Sequence, residues 1–411
     1  MKLFKSIRNI LEIASYEMNE VFHDHGILLF ILFVPLAYPL LYSYVYTNEV
    51  VRDVPCVVVD DSHSMLSRDF VRKVDACPEV EIVGQCCNMH EAQELLKERK
   101  AYGIIHIPSS LNRDLFLNEQ SHIGVYCDMS SMLYYKGIVL ATNNVALDMN
   151  RDIKVERYIP STTDRQEEIT RMPIEYEYVT LFNPQSGFAA FLIPPVLMLI
   201  IQQTLLLGVG MSMGRARENY LRNWRALRRL YRKPHHIVAG KSVIYLLIYM
   251  IMSIYMFGIV TRSFGLPSLG NYWTFLTVII PYILSCIFLA IILSVLVYRR
   301  EDCIMLFVSL SVPLLFMSGL TWPVSAMPAI WKYVSYIFPS TFGMNAYVRI
   351  ASMGCSLSEV RFDFSALWIQ CGVYFLIACM MYRWRINSIK RRLVPASMHR
   401  KFRWTLKLKR N

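Results

Sequence analysis

Long uncharged apolar runs alternate with charged segments along this chain. Six runs contain no Asp, Glu, Lys or Arg: 27–46, 188–210, 242–260, 272–297, 304–320 and 366–382. Most of them reach the roughly 20 residues that cross a hydrocarbon core of about 30 Å as a helix. The pattern therefore predicts an α-helical membrane protein with six transmembrane helices. The first is 27–46, and the other five lie within 188–382. The fifth and sixth runs, with 17 residues each, are the shortest.

The segment between the first two runs, 47–187, has a different pattern. Short β-branched stretches alternate there with stretches of helical spacing. The stretches that predict strands are 55–60, 80–84, 102–108 and 122–128. The stretches that predict helices are 67–74, 90–100 and 131–157. This alternation favours a small α/β domain with a largely parallel sheet, inserted between transmembrane helices 1 and 2.

The charges that flank the runs predict the orientation in the membrane. Four segments together hold 25 basic and 7 acidic residues: 1–26, 211–241, 298–303 and 383–411. Segment 47–187 instead holds 14 basic and 22 acidic residues. Because basic loops stay in the cytoplasm, both termini are expected inside and the α/β domain outside. Segment 1–26 is then a cytoplasmic amphipathic helix, and 383–411 is a basic cytoplasmic tail.

Composition supports a membrane location and narrows the function. Hydrophobic residues make up 55% of the 411 residues and charged residues only 18%, which favours a bilayer-embedded chain. The net charge of +12 is assigned to the flanks of the spans, where basic residues meet anionic lipid headgroups. Nucleic-acid binding is therefore not expected. Five of the ten cysteines lie in segment 47–187, where an oxidising compartment would permit a disulfide of undetermined connectivity.

The cytoplasmic loop 215–233 has the pattern of a two-faced helix. One face is basic and holds Arg222, Arg225, Arg229 and Arg232. The opposite face is apolar and holds Tyr220, Trp224, Leu227 and Tyr231. Such a helix either rests its aromatic side chains in the lipid headgroup layer or docks in a groove of a cytoplasmic partner. The sequence leaves both interpretations open.

The stretch PHHIVAGKS at 234–242 contains the Gly-Lys-Ser that ends a phosphate-binding loop. That loop needs a further glycine five positions before Gly240, and His235 stands there. The sequence therefore predicts no nucleotide site on this chain. Gly240 is expected to allow close helix packing, and Lys241 to anchor the chain at the membrane interface.

A series of short motifs runs along the chain in a characteristic order. They are Glu17 with His23-Asp24, the outer segments VPCVVVDDSHSMLSRDFVRKVDACPEVEIV and AYGIIHIPSSLNRDL, Asn183-Pro184, MSMGRARE, Pro234 with Gly240-Lys241, and MSGLTWPVSAMP with YIFPSTFGMNAYVR. Together they resemble the ABC-2 type transporter permeases, in the subgroup that carries an extracytoplasmic domain after its first transmembrane helix. The resemblance covers nearly the whole chain. It departs at Asn219-Tyr220, because the family usually has Gly-Thr after the glutamate that matches Glu218.

The resemblance implies the membrane subunit of an ATP-driven exporter, which is not itself an enzyme. ATP and magnesium would bind a separate ABC ATPase subunit, with no cofactor on this chain. The residues expected to couple to that ATPase are Arg217, Glu218, Trp224, Arg225, Tyr231 and Pro234. Other expected partners are a second permease copy or paralogue, a periplasmic adaptor protein and membrane lipid. The implied location is the bacterial cytoplasmic (inner) membrane. A hydrophobic or amphiphilic substrate is expected, because the six runs hold no ionisable side chain to accompany a charge.

Two other functional classes fit the sequence less well. An ion-coupled secondary transporter usually places ionisable residues near the midplane of repeated halves, and neither feature occurs in the sequence. A membrane-anchored sensor would need only one or two spans. Gln202 and Gln203 in the second run are expected to bond neighbouring helices or, alternatively, to line a substrate path. The histidine pairs beside the membrane fit interfacial positions better than a metal site, and no residue cluster predicts an enzyme.

Overall fold

The chain divides into two structural units, one of which is inserted into the other in the sequence. The computed structural model describes residues 2–117, 119–158, 181–183, 187–222, 233–295, 300–319 and 322–393. One unit comprises Met1–Thr47 and Leu181–Asn411, and the other is Asn48–Thr180. The second unit falls inside segment 47–187, so it is an insertion between the first two apolar runs.

Two helices precede the inserted unit. α1 spans Lys2–Phe22 and α2 spans His25–Val45. Asp24 begins α2, because its Oδ1 accepts hydrogen bonds from the backbone N–H groups of Gly26 and Ile27 at 3.0 and 3.3 Å. A side chain in this N-cap position satisfies donors that the first turn of a helix leaves open. The chain therefore ends one helix and starts the next within two residues.

The inserted unit is a four-stranded α/β domain. Its elements are β1 (Val54–Asp60), α3 (Met65–Asp75), β2 (Val80–Gln85), α4 (Met89–Lys97), β3 (Gly103–Ile107), α5 (Leu111–Phe116), β4 (Gly124–Cys127) and α6 (Met132–Tyr158). The strand order is β2-β1-β3-β4, and β1 is parallel to both β2 and β3. Only β4 is antiparallel. The short helix α5 has no counterpart among the predicted elements.

The core of this domain lies on both faces of β1. Cys56 and Val58 belong to the apolar cluster that includes residues of α3 and α6, whereas Val57 and Val59 belong to the cluster beside α4. Successive side chains of a strand point to opposite faces. The unbroken apolar run of β1 is therefore typical of a central strand that is covered on both sides.

All five cysteines of the domain are free thiols in the structure, in contrast to the disulfide that the sequence permits. Cys56 on β1 and Cys127 on β4 both pair with Gly103 on β3. Two strand spacings separate them by roughly 9.5 Å, which is beyond the Cα separation that a disulfide accepts. Burial raises the pKa of Cys56 to about 12. This thiol is therefore protonated at neutral pH and behaves as a small apolar side chain.

The second part of the other unit is helical throughout its described elements. These are α7 (Phe188–Arg222), α8 (Pro234–Ser263), α9 (Tyr272–Leu293), α10 (Arg300–Met317), α11 (Ala329–Ser335), α12 (Pro339–Met353) and α13 (Arg361–Leu393). The centre is α9, where the fully buried Tyr282 donates to the backbone oxygen of Met198 in α7 at 2.6 Å. Gly343 of α12 makes room for this ring, since a Cβ there would lie 2.5 Å from it.

Five helices of the described residues are long and apolar enough to cross a membrane: His25–Val45, Phe188–Ala216, Pro234–Ser263, Tyr272–Leu293 and Arg361–Trp384. The fifth predicted run corresponds to a shorter apolar helix, Asp302–Met317. At 1.5 Å per residue these 16 residues extend only about 24 Å, which is less than a hydrocarbon core of about 30 Å. The helix ends before Gly319, whose φ of +85° does not continue an α-helix.

Candidate functional site at the junction of α1, α7 and α8

A buried carboxylate joins three helices at one end of the membrane unit. Glu17 of α1 forms an ion pair with the ammonium group of Lys241 in α8. Its Oε1 accepts hydrogen bonds from the hydroxyl of Ser212 in α7 at 2.5 Å and from that of Tyr245 in α8 at 2.8 Å. All four residues are buried, with at most 4% of their surface exposed. A charge in such surroundings is tolerated only when it is paired and hydrogen-bonded.

The surroundings hold Glu17 in its charged form. Burial by itself raises the pKa of this carboxyl, but the charge of Lys241 and the hydrogen bonds from Lys241, Ser212 and Tyr245 outweigh it, so the pKa is lowered. The carboxylate thus remains ionised at neutral pH, where it balances the charge of Lys241.

The Gly240-Lys241 motif has a structural role at this junction. A Cβ at position 240 would lie 2.8 Å from Cβ of Ile13 and 2.9 Å from the backbone oxygen of Ile10. Only glycine therefore lets α8 approach α1 this closely, in agreement with the expectation of close packing. Lys241 was expected to anchor at the membrane interface, but it is 4% exposed and points at Glu17 instead. An ammonium group on the packed face of the helix gains more from a buried carboxylate than from a headgroup that it cannot reach.

Three further polar contacts extend the junction along α1 and into the start of α2. Arg215 of α7 pairs with Glu20 at 3.2 Å and with Asp24 at 2.7 Å. The hydroxyl of Ser6 lies 2.6 Å from Nε2 of His236 in α8. Because these contacts lie on both sides of Glu17, α1 is attached to α7 and α8 along its length.

The predicted coupling residues extend from the end of α7 to the start of α8. Arg217 and Glu218 belong to the last turns of α7, which ends at Arg222, and Pro234 is the first residue of α8. The first part of segment 215–233 therefore continues α7 and does not start a separate helix. The other predicted coupling residues, Trp224, Arg225 and Tyr231, lie outside the described residues.

The two adjacent glutamines of α7 have different surroundings. Gln202 is fully buried, donates to the hydroxyl of Ser340 at 3.1 Å and accepts from the backbone N–H of Ser340 at 2.8 Å. This side chain therefore bonds α7 to α12. The amide atoms of Gln203 are buried and have no hydrogen-bond partner among the described residues, so no contact assigns Gln203 to either of its predicted roles.

Sequence reasoning did not identify the Glu17–Lys241 pair. The signal for it lies in α1, where Ile13, Glu17 and Val21 recur every four residues and all three are buried. Carboxylates are almost never fully buried without a partner. The partner, Lys241, is 224 residues away in the sequence, so the pattern of α1 alone could not identify it. In the part of the chain that the structure describes, no group of three or more His, Cys, Asp or Glu is placed to hold a metal ion.

The comparison with protein families identifies the family to which this chain belongs. A family model described as "ABC-2 family transporter protein" matches residues 25–380. The chain therefore belongs to the ABC-2 transporter family, and it is a multi-pass ABC transporter permease. Membership implies that it works with an ABC ATPase subunit. No curated protein matches the chain.

Proposed function

We propose that this permease exports a hydrophobic or amphiphilic substrate from the cytoplasm, with energy from ATP hydrolysis on a separate ATPase subunit. In this proposal six helices cross the membrane, and the bilayer thins locally around the short α10. Both termini are cytoplasmic and segment 47–187 lies outside. A second permease copy or paralogue completes the transport path. We place the permease in a bacterial inner membrane and expect it to bind a periplasmic adaptor protein.

The junction around Glu17 is the observation that carries this proposal. It ties α1 to α7 and α8, the two helices that flank the segment expected to meet the ATPase. Packed helices joined by buried polar contacts move as a unit, because interiors have low compressibility and transmit strain. Movement of segment 215–233 would therefore reach the membrane-spanning part of α7 and α8 together.

The arrangement of α1 supports a position at the cytoplasmic membrane surface. Besides its buried stripe, it carries a second apolar stripe that is exposed: Phe4, Ile7, Leu11, Met18 and Phe22. Their spacing places them on one side of the helix. A helix that packs one face on protein and exposes another apolar face is suited to the headgroup layer. In this position α1 contacts α7 and α8 on one face and lipid on the other.

The charges of the spans favour an apolar or amphiphilic substrate. Lys241 and Arg215 fall within the apolar helices α8 and α7, whereas the sequence pattern placed no ionisable residue in a span. Glu17 of α1 pairs with Lys241, and Glu20 of α1 together with Asp24 at the start of α2 pairs with Arg215. A strongly charged solute would therefore meet few free charges on its way, and crossing without them is costly.

ATP-dependent transport is the first expected result. The permease, reconstituted in proteoliposomes with the ATPase that copurifies with it, should move fluorescent amphiphiles only when ATP is present. A panel of probes that share one acyl chain and carry anionic, zwitterionic or cationic headgroups covers the substrate class. Replacing the lysine of the ATPase phosphate-binding loop should abolish transport. If transport survives that change and follows an imposed proton gradient, the protein is an ion-coupled carrier.

Topology gives the second expected result. Ser109 is an exposed turn residue next to α5. In a background that lacks the native cysteines of the domain, Ser109→Cys should react with a membrane-impermeant thiol reagent in cells whose cytoplasmic membrane is intact. A cysteine in place of Ser397, in the basic tail, is the matched control and should react only after that membrane is permeabilised. The reverse pattern would place the domain in the cytoplasm and contradict the proposed orientation.

A further inference from the structure

A cavity of about 640 Å³ opens at the end of α8 that is remote from the Glu17 junction. Its walls come from α8, the beginning of α9 and the last turns of α12. A volume of this size lies within the roughly 300–1,000 Å³ that is usual for small-molecule sites.

The inner wall of the cavity is aromatic. Phe257 of α8, Phe275 of α9 and Tyr347 of α12 form a triangle, with ring centroids 4.5, 4.6 and 5.2 Å apart. All three are buried. Because each ring packs against the other two, this wall is held in shape and presents an apolar surface to an occupant.

The helix wall beside these rings departs from α-helical geometry. Residues Tyr255–Val260 form a π-helical segment, a feature that is rare and frequent at functional sites. Gly258 lies in this segment and lines the cavity, and a Cβ placed on it would meet no atom within 4 Å. Neither a close helix contact nor a left-handed backbone explains this glycine. Its effect is to leave the cavity open.

The rim of the cavity carries a cationic side chain. Arg262 lines it, is exposed, and has no ion pair or hydrogen bond from its guanidinium group to any residue that the structure describes. The hydroxyl-bearing Ser268 and Tyr272 lie on the same rim, and none of the described residues that line the cavity is acidic. An apolar chamber with an uncompensated guanidinium at its mouth is complementary to a molecule with an apolar body and an anionic head.

We propose that this cavity binds one amphiphile with an anionic headgroup, the acyl chain lying against the aromatic wall and the head on Arg262. Two sources share this chemistry, an acidic membrane lipid that stays bound and the exported substrate. Only the second possibility rests on the function proposed above. Binding itself is independent of ATP and can be measured on the permease alone.

Photolabelling tests the binding. The full chain, in phosphatidylcholine nanodiscs, is irradiated with palmitate that carries a diazirine on its chain, and labelled peptides are mapped by mass spectrometry. Labelling should concentrate in residues 254–263 and 347–351 and should saturate. A probe of the same chain length with a trimethylammonium head should label these residues at least about tenfold less, because it is repelled by Arg262 and lacks its hydrogen bonds.

Two pairs of variants separate this site from general lipid contact. Gly258→Leu fills the cavity and should remove the labelling, whereas Gly372→Leu, at an equally open glycine of α13, should leave it unchanged. Arg262→Gln should erase the preference for palmitate over the cationic probe, whereas Arg361→Gln should preserve it. If Gly258→Leu labels like the native chain, or if the native chain does not distinguish the two heads, the proposal is wrong.

A transport assay distinguishes a resident acidic lipid from the exported substrate. Gly258→Leu is reconstituted with the ATPase and assayed with the anionic fluorescent amphiphile. If binding and ATP-driven transport disappear together while ATP hydrolysis continues, the occupant is the substrate. If transport of this probe continues, the occupant is a resident lipid. If the native complex transports no amphiphile but the permease is still labelled, the export function fails while the binding site stands.

Discussion

Glu17→Ala is expected to destabilise the permease strongly. The substitution leaves the ammonium group of Lys241 buried without a partner, and breaking a buried ion pair in this way typically costs about 3–5 kcal/mol. The hydroxyls of Ser212 and Tyr245 lose their acceptor as well. Thermal unfolding in detergent, followed by fluorescence-detected size-exclusion chromatography, should show a lower midpoint and a smaller monodisperse fraction.

A matched control lies on the same helix. Arg8 and Glu12 form an ion pair at 3.2 Å whose side chains are 82% and 45% exposed. Glu12→Ala should therefore change stability by less than about 1 kcal/mol. Combining Glu17→Leu with Lys241→Met should recover much of the loss, since apolar groups of similar volume can replace a buried pair. If Glu17→Ala and Glu12→Ala unfold at the same temperature, the junction does not hold α1 in place.

Acid should reproduce part of the effect of Glu17→Ala. The pKa of Glu17 is lower in the folded chain than its ordinary value of 4.5. Ionisation of this group therefore adds stability that is fully present above about pH 4.5 and is lost as the pH falls through the lowered pKa. Between neutral pH and about pH 5, the difference in stability between the native chain and the Glu17→Ala variant should stay constant.

Trp224→Ala combined with Tyr231→Ala is expected to abolish recovery of the ATPase in a pull-down. Their spacing places the two aromatic residues on one face of the helical pattern in 215–233. Aromatic anchors at interface centres often contribute about 2 kcal/mol or more each. Their joint loss should therefore weaken binding at least about a hundredfold. Quantitative immunoblotting of the ATPase retained on the tagged permease measures this.

The control for this experiment removes an exposed aromatic residue from α1. Phe4 of α1 is 83% exposed, and Phe4→Ala should leave recovery of the ATPase unchanged. Membrane insertion of both variants is checked by fractionation. Undiminished recovery with the Trp224 and Tyr231 substitutions would remove the docking role. The aromatic face would then serve the lipid surface, as the alternative interpretation holds.

Much of the architecture was accessible from local patterns. The apolar run at 272–297 predicts α9, because a helix that crosses a bilayer needs an uninterrupted apolar stretch. The β-branched run ending at Asp60 predicts β1, because strand propensity and the following turn residues agree. The short fifth run was harder to assign, since an apolar run does not show where a helix stops.

For segment 215–233 too, the sequence predicted part of the structure and left part of it undetermined. The period of three and four in 215–233 predicts a helix with two faces, and α7 does continue as a helix to Arg222. The pattern could not show that α7 runs on into this segment without a break. Helix ends depend on capping and on neighbours, and neither is visible in a periodic pattern.

The sequence by itself thus determined the membrane class of the protein, the insertion of an α/β domain and the family, because these depend on hydrophobic periods and on the order of motifs. The tertiary structure alone decided the partner of Glu17, the identity of α1 as the helix that packs on Gly240, and the cavity beside Gly258. Each of these joins residues from helices that lie far apart in the sequence. Burial, ion pairing and cavities depend on which residues pack together in three dimensions, and the order of residues along the chain does not show this.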